Sequence, residues 1–390
     1  MVSNSPRGMC RLLRRAVWCV GLACGLAACR VASDGFEERS SPAVWGSAPA
    51  VESTPSPVEP ERTSHSITSG CETAFSDREL YLYVQGGLLW RQFGNGMTEM
   101  VTAITGDDGL LDAARAEGYV VVLRESGLQA VRLTDGQTTE FQGFDAQALF
   151  GELLVAEGTD RVAYSVSSDD RSELGVFDVK YNLRSPLIEG ADYLKLIGFT
   201  NGNRILYAVP RGQDLEFASV LRIDTSTDEA VSLPVEGVEF AAVSPTDETL
   251  VTTAARPAAD SGSLRFGLSL YEAPEGKRPP EWIDLPMPPS HASGLVFSDD
   301  GRSLDFVLRS DTPYDRAVTP YGLWRLDIAS RGFSRLAELP QQWLHILGEV
   351  RAGNGVILGA ETGDQVLVVD REAGDRCRIT YLEGPVLVVK

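Results

Sequence analysis

Residues 291–340 hold one complete unit of a pattern that recurs along most of the chain. Leu295, Val296 and Phe297 lead into a turn at Asp299-Asp300-Gly301, after which Leu304, Phe306 and Leu308 alternate with Ser303, Asp305 and Val307. A period of two belongs to a half-buried strand, and an Asp-Gly turn between two such runs closes a hairpin. Leu323, Trp324 and Leu326 make a third run, Asp327 to Gly332 turn the chain, and Phe333 to Leu339 make a fourth. The third run is the easiest to trace elsewhere. It appears as L-L-W-R-Q-F-G-N-G at 88–96, L-Q-A-V-R-L-T-D-G at 128–136, L-G-V-F-D-V-K at 174–180, S-V-L-R-I-D-T-S-T at 219–227, L-S-L-Y-E-A-P-E-G at 268–276 and Q-V-L-V-V-D-R-E-A-G at 365–374. Aligning Phe93, Thr134, Asp178, Asp224, Glu272, Asp327 and Asp370 gives spacings of 41, 44, 46, 48, 55 and 43 residues.

Each third run is preceded by an alternating or wholly apolar one: L-Y-L-Y-V at 80, Y-V-V-V-L at 119, R-V-A-Y-S-V at 161, R-I-L-Y-A-V at 204, T-L-V-T-T-A at 249 and G-V-I-L-G-A at 355. Four short antiparallel strands in about 45 to 50 residues is the unit of a β-propeller. The expected fold is therefore all-β, a propeller of seven four-stranded blades, with six or eight the counts that degenerate end units allow. One stretch reads differently: Leu110, Leu111 and Ala114 within Gly109 to Glu117 fit a turn or two of helix. A ring must also be closed, because terminal blades otherwise lack a neighbour for their outer faces. The run Pro385 to Val389 is a candidate further strand for that closure, with no partner strand assigned.

The turns between first and second strands carry a resemblance. I-G-F-T-N-G-N at 197–203, A-V-S-P-T-D-E at 242–248 and F-S-D-D-G-R at 297–302 resemble the Ser-Pro-Asp-Gly turn of TolB-like or WD-like propeller repeats. The resemblance covers residues 71–390 and is strongest over 197–340. It departs from the pattern in having only Ser-Asp-Asp-Gly and Ser-Pro-Thr-Asp, and a third-strand tryptophan only at Trp90 and Trp324.

Upstream of the repeats, Arg7, Arg11, Arg14 and Arg15 precede a 13-residue apolar segment, Ala16 to Ala28, too short to span a bilayer and built as an export signal. It ends Leu26-Ala27-Ala28-Cys29, which resembles the bacterial lipobox, with Cys29 the lipidated residue. Gly21-Leu22-Ala23-Cys24 is a poorer match, and a plain secretory signal with an incidental Cys29 is the alternative. Arg14-Arg15 lacks the flanking residues of a twin-arginine signal. Arg30, where Asp would favour retention at the inner membrane, points by resemblance to the outer membrane. Residues 30–70 hold Pro42, Pro49, Pro55, Pro57 and Pro60 among Ser, Thr and Glu, and His65, with no apolar periodicity. Such a segment buries too little to offset ordering and reads as a disordered tether. The expected domains are a signal peptide at 1–28, the lipidated cysteine and tether at 29–70, and the propeller at 71–390.

Removing the four arginines of the signal takes the formal charge from −20 to −24, which opposes nucleic-acid binding. After lipidation of Cys29, the mature chain keeps Cys71 and Cys377, one at each end of the repeats. In an oxidising compartment such a pair is expected to bond. A bridge closing 305 residues would stabilise by up to roughly 5 kcal/mol in the chain-entropy picture.

Chemistry is harder to find. The domain has two histidines, His291 and His345, and no G-x-S-x-G elbow, so no nucleophile, catalytic residue, metal ligand or cofactor is nominated. Asp107-Asp108-Gly109, Asp169-Asp170 and Asp299-Asp300-Gly301 read as turn chemistry ahead of calcium ligation. Trp90, Trp282, Trp324 and Trp343 read as blade packing ahead of sugar platforms. The lipobox, the tether and the missing catalytic set point to a monomeric, lipid-anchored envelope protein without catalysis, and the resemblance to TolB-like domains implies that its propeller docks a protein or envelope polymer. Two alternatives are a lactonase- or lyase-like enzyme with a metal at the central channel, and an envelope sensor or assembly factor. For the anchor, Cys29→Ala is expected to release the protein from membranes and abolish labelling by a palmitate analogue; unchanged partitioning would refute acylation.

Overall fold

In the computed structural model, the alternating runs are strands of seven antiparallel sheets, each of four strands. The structure describes residue 75 and residues 77–390 apart from 105–108, 142–143, 145–147, 157, 170, 191–192, 211–218, 236–238, 258–263, 273–278, 287–289, 310–321, 340–342, 351–354, 361–364, 372–376 and 382–386. All of it lies in the compact unit Thr63–Lys390. The signal, Cys29, the tether and Cys71 lie outside the described residues.

Blade 2 comprises Leu110–Ala116, Tyr119–Arg124, Leu128–Arg132 and Thr138–Glu140. Blade 3 follows with Phe150–Val155, Arg161–Ser167, Ser172–Asp178 and Leu183–Gly190, and blade 4 with Leu194–Thr200, Ile205–Pro210, Ser219–Asp224 and Glu229–Pro234. Blade 5 is Ala241–Val243, Leu250–Pro257, Leu264–Tyr271 and Glu281–Asp284; blade 6 is His291–Phe297, Ser303–Arg309, Gly322–Asp327 and Phe333–Glu338. Blade 7 is Trp343–Glu349, Gly355–Ala360, Gln365–Asp370 and Cys377–Tyr381. Blade 1 takes its second to fourth strands from Glu79–Gln85, Leu88–Phe93 and Thr98–Ala103, and its first from Leu387–Val388 at the other end of the repeats. First strands of successive blades contact one another, which places them innermost.

The burial pattern follows from this geometry. Second strands are covered on both faces by neighbouring sheets, so Tyr119–Arg124 and Ile205–Pro210 are buried almost throughout and read as continuous apolar runs. Fourth strands sit at the rim, and Glu229–Pro234 is exposed except at Leu233. Seven apolar clusters fill the seven blade-to-blade interfaces. Between blades 6 and 7 lie Val307, Leu323, Val356, Leu358 and Leu367; between blades 7 and 1, Tyr81, Tyr83, Ile357, Val366 and Val388. At about 1.5–3 kcal/mol for each fully buried aliphatic side chain, these interfaces dominate the favourable terms. Near the axis the strands approach closely. Gly294, at φ 62°, leaves room for only hydrogen where a Cβ would stand 3.0 Å from the Ile346 amide nitrogen of blade 7.

Residues 109–117 depart from the helical expectation. Leu110–Ala116 is the first strand of blade 2, paired with Tyr119–Arg124 through a bulge between Leu110 and Asp112. The apolar spacing that mimics a helix is a bulged strand whose small residues Ala113, Ala114 and Ala116 fit the crowded axis.

The closing strand expected from Pro385 to Val389 forms over Leu387–Val388, pairing Val388 with Tyr83 and Leu387 with Val84. The segment then bridges two blades. Val389 N–H donates to Leu82 O at 2.9 Å, Lys390 N–H to Ala113 O at 3.1 Å, and Arg115 N–H to Lys390 O at 2.7 Å. Asp112, only 3% exposed, locks this junction: its Oδ2 accepts from Lys390 Nζ at 2.8 Å and from Leu153 N–H of blade 3 at 2.7 Å, while Oδ1 accepts from Ala113 N–H. Cys377, at the start of the outer strand of blade 7, is buried and disulfide-bonded. Removing the Asp112 carboxylate orphans the amides of the buried residues Leu153 and Ala113 and frees the partly exposed Lys390 ammonium. Asp112→Ala is therefore expected to lower unfolding free energy by about 3 kcal/mol in urea titrations, against about 0.5 or less for the exposed Glu229→Ala; equal effects would disprove the lock.

Candidate functional site

Because blades 2 to 7 are antiparallel meanders, their first–second and third–fourth turns lie on one face of the ring. On this face a cleft of about 1010 Å³ opens between blades 5 and 6. Thr246, Asp247, Glu248 and Thr249 line it from the first–second turn of blade 5, and Glu272 from the end of that blade's third strand. Asp300, Gly301 and Arg302 contribute from the equivalent turn of blade 6, and Asp327, Ile328, Ala329 and Arg331 from its third–fourth turn.

The turn residues come first as builders of their own loops. Asp300 Oδ1 accepts from Ser298 Oγ at 2.7 Å and from Arg302 N–H at 3.0 Å, which shapes the hairpin that the sequence marks as Asp-Asp-Gly. Asp327 Oδ1 accepts from Ser330 N–H and Oγ, both at 2.7 Å. Asp247 Oδ1 accepts from Thr249 N–H at 2.9 Å. Glu248 is gripped from blade 4: Arg222 Nε and Nη2 reach its two oxygens at 2.8 and 2.9 Å, and Tyr207 Oη donates at 3.1 Å. Arg331 crosses to blade 5, donating from Nε and Nη2 to Glu281 at 3.0 and 2.7 Å and from Nη2 to Glu272 at 3.1 Å. Arg302 is the most exposed of the lining cations, with its guanidinium 3.9 Å from Asp300.

These bonds act in one direction on the acids. Hydrogen bonds from Ser298 and Ser330 hold Asp300 and Asp327 below the usual carboxylate range, and the Arg222 guanidinium does the same to Glu248. The cleft is thus lined by five carboxylates and two guanidinium groups, and the shifted acids stay ionised across neutral pH.

At the axis the first strands of blades 2 and 3 carry acids too, but these serve the scaffold. Asp112 accepts the Leu153 amide of blade 3, and Glu152 Oε2 accepts the Leu196 amide of blade 4 at 3.1 Å. Among the described residues no group of three or more His, Cys, Asp or Glu is arranged to hold a metal ion.

The residues singled out in the sequence fall apart in space. His291 opens the first strand of blade 6 and packs on Phe266, ring centroids 3.6 Å apart. His345 lies in the first strand of blade 7, paired with Gly359. His291 does not line the cleft. Asp299-Asp300-Gly301 forms the turn described above, while Asp107, Asp108 and Asp170 lie outside the described residues. Trp90 stacks near-parallel with Tyr83 at 6.5 Å and packs on the blade 7–1 core, and Trp324 packs on the blade 5–6 core. Trp282 lies beneath Arg256, 4.5 Å from its ring centroid, and donates Nε1–H to Asp284 at 2.7 Å. Sequence reading missed Arg331, Glu248 and Arg302. A signal for Arg331 was present, because a long cation stands in a tight turn where blades 1 to 4 carry Gly96, Gly136, Asn182 and Asp228 at positive φ.

No family model matches the chain, and no curated protein does. Among solved structures, the oligogalacturonate lyase of Vibrio parahaemolyticus aligns with a TM-score of 0.51 at 9% identity, covering 79% of this chain and 86% of that one. An oligogalacturonate lyase in complex with manganese aligns at 0.50 and 12% identity, covering 77% and 85%. TolB from Acinetobacter baumannii aligns at 0.47 and 12% identity, covering 81% and 79%. The chain spans only 40% of the tricorn protease and 46% of the Porphyromonas gingivalis dipeptidyl peptidase 4 that it also matches. The likeness is one of fold: this chain is a seven-bladed β-propeller.

The depressed carboxylates contribute an acid-labile part of the fold's stability. Their folded pKa values lie below the unfolded ones, so their contribution is complete above about pH 4–5 and is lost as pH falls through the lowered values. Melting temperature is expected to stay level from pH 8 to about 5 and to fall below about 4. Glu248→Gln should lower it at pH 7 and show a smaller drop on acidification; an unchanged profile would show that the Arg222 and Tyr207 contacts contribute nothing.

Proposed function

We propose that the chain is an envelope lipoprotein, held at the outer membrane through Cys29 and its tether, whose propeller is a non-catalytic docking module that uses the cleft between blades 5 and 6. The observation that carries this reading is the state of the cleft's acids. A general acid or base works best with a pKa near the operating pH, whereas Asp300, Asp327 and Glu248 are all moved away from it. Permanent anions on short, mutually bonded turns suit recognition. Rigid loops present them without an ordering cost, and their surplus over Arg302 and Arg331 favours a partner segment carrying ammonium or guanidinium groups.

The lipobox and the tether support the location, since a 41-residue linker at 30–70 reaches roughly 35 Å as a flexible coil and holds a domain clear of lipid headgroups. A photo-crosslinking residue at Thr246, read in intact cells, is expected to capture one stoichiometric protein or envelope polymer. The same probe at Gln137 on blade 2 should not, and Asp300→Lys with Asp327→Lys should abolish capture. Capture independent of those charges, or one equivalent of manganese or calcium in the purified protein together with lyase activity, would overturn the docking reading in favour of an enzyme.

A further inference from the structure

The innermost strand of blade 5 is cut short. It runs for three residues, Ala241–Val243, where its neighbours in blades 4 and 6 run for seven, Leu194–Thr200 and His291–Phe297. In those two blades the first strand is laddered to the second as far as Pro210 and Arg309, at the face opposite the cleft. In blade 5 the ladder covers only Leu250 to Thr252, followed by one exchange in which Thr253 N–H donates to Phe240 O at 2.9 Å and Phe240 N–H to Thr253 Oγ1 at 3.0 Å. Residues 254–257 are laddered, among the described residues, to the third strand alone. The second strand therefore outruns the first, leaving a notch in the axial wall bordered by Phe240 and by Ala255 with its cross-strand partner Phe266.

Side chains of both neighbouring blades converge on this notch. From blade 4 the Lys195 ammonium lies 5.2 Å from the centroid of the Phe240 ring. From blade 6 His291 packs on Phe266, and Arg309, the cross-strand partner of His291, turns Nη2 toward Glu239, the residue before Phe240, at 3.8 Å. Donors here outnumber acceptors. Among the described residues no carboxylate pairs with Lys195, and 3.8 Å is too long for a hydrogen bond between Arg309 and the half-exposed Glu239. Arg309 Nε is buried with no hydrogen-bond partner, and Ser290, beside His291 and 2% exposed, leaves its Oγ without one. A buried donor lacking an acceptor costs stability, so two of them together with a free ammonium call for an explanation in a chain of formal charge −20.

We propose that this notch, on the face opposite the cleft, is a binding site for a small organic carboxylate with an aromatic or aliphatic body. Lys195 and Arg309 carry two positive charges and Glu239 one negative, so a single further negative charge balances the group. A carboxylate has that charge and the lone pairs to accept from the Lys195 ammonium, Arg309 Nε and Ser290 Oγ. Phe240 and Phe266, both only partly buried, offer ring faces to the apolar body. The site stands independently of docking at the cleft, with which it shares no residue.

The test titrates the mature protein into 4-fluorobenzoate and follows the fluorine NMR signal at about pH 8, where an ordinary imidazole is neutral. Saturable binding is expected, at least about tenfold tighter than that of 4-fluorobenzyl alcohol, which keeps the ring and lacks the charge. Lys195→Gln and Arg309→Gln should each weaken it roughly fivefold or more, and Ser290→Ala roughly two- to fivefold. Glu239→Gln removes the acceptor that competes for Arg309 and should tighten binding about threefold, a gain that a merely structural role would not produce. Arg302→Gln takes the same charge from the cleft face and should change binding less than about 1.5-fold. Should Arg309→Gln fold poorly, the Lys195 and Glu239 variants keep the test intact, since both side chains reach solvent. Absence of saturable binding, equal affinity for acid and alcohol, or weaker binding by Glu239→Gln would each overturn the site.

Discussion

The structure depends on each sheet burying its faces against the next all the way round. A four-stranded sheet of this length cannot be stable alone, and the seven apolar clusters between blades supply the burial that each lacks. That requirement explains why the second strands are apolar on both faces while the fourth strands are polar. It also makes the junction of the first and last units decisive, because one open interface would expose two sheet faces together. Among the described residues, Leu387 and Val388 complete the first blade as a strand. The junction is reinforced by Lys390 bonding to blade 2 and by Asp112, which ties that contact to blade 3.

Charge is used in two ways across the molecule. Buried or half-buried acids at the axis and between blades are structural ties: Asp112, Glu152 and the fully buried Asp305, which Arg325 of its own blade and Arg371 of blade 7 hold at 2.8 and 2.7 Å. A carboxylate so enclosed requires partners to be tolerated at all. On the turn face Asp247, Asp300 and Asp327 are bonded mainly by their own loops, while Glu248 and Glu272 are held from neighbouring blades. The cleft between blades 5 and 6 is where those loops come close enough, joined by Thr246 Oγ at 3.5 Å from Asp300 O, to act as one surface.

Much of this was legible in the residues. The spacing of third strands from Phe93 to Asp370 marks seven units because each unit must present the same pair of buried faces to its neighbours. The Asp-Asp-Gly turn was readable because its chemistry is local to five residues. Gly109 to Glu117 misled because a bulge and three alanines disguise a strand whose identity is set by crowding at the axis. His291, an obvious chemical residue, does not line the cleft, whereas the reach of Arg331 to Glu272 and Glu281 of blade 5 is a contact that its turn position alone does not show.

The amino-acid order by itself determined the fold class, a repeat of about seven units and the expected address signals, since periodicity, turn residues and a short apolar leader are properties of neighbouring positions. Tertiary structure alone decided which turns meet to form a cleft, which acids are spent on the scaffold, and which arginine crosses between blades. Those are contacts between residues that lie dozens of positions apart, or at opposite ends of the repeats as with Asp112 and Lys390, and only ring closure brings such pairs within bonding distance.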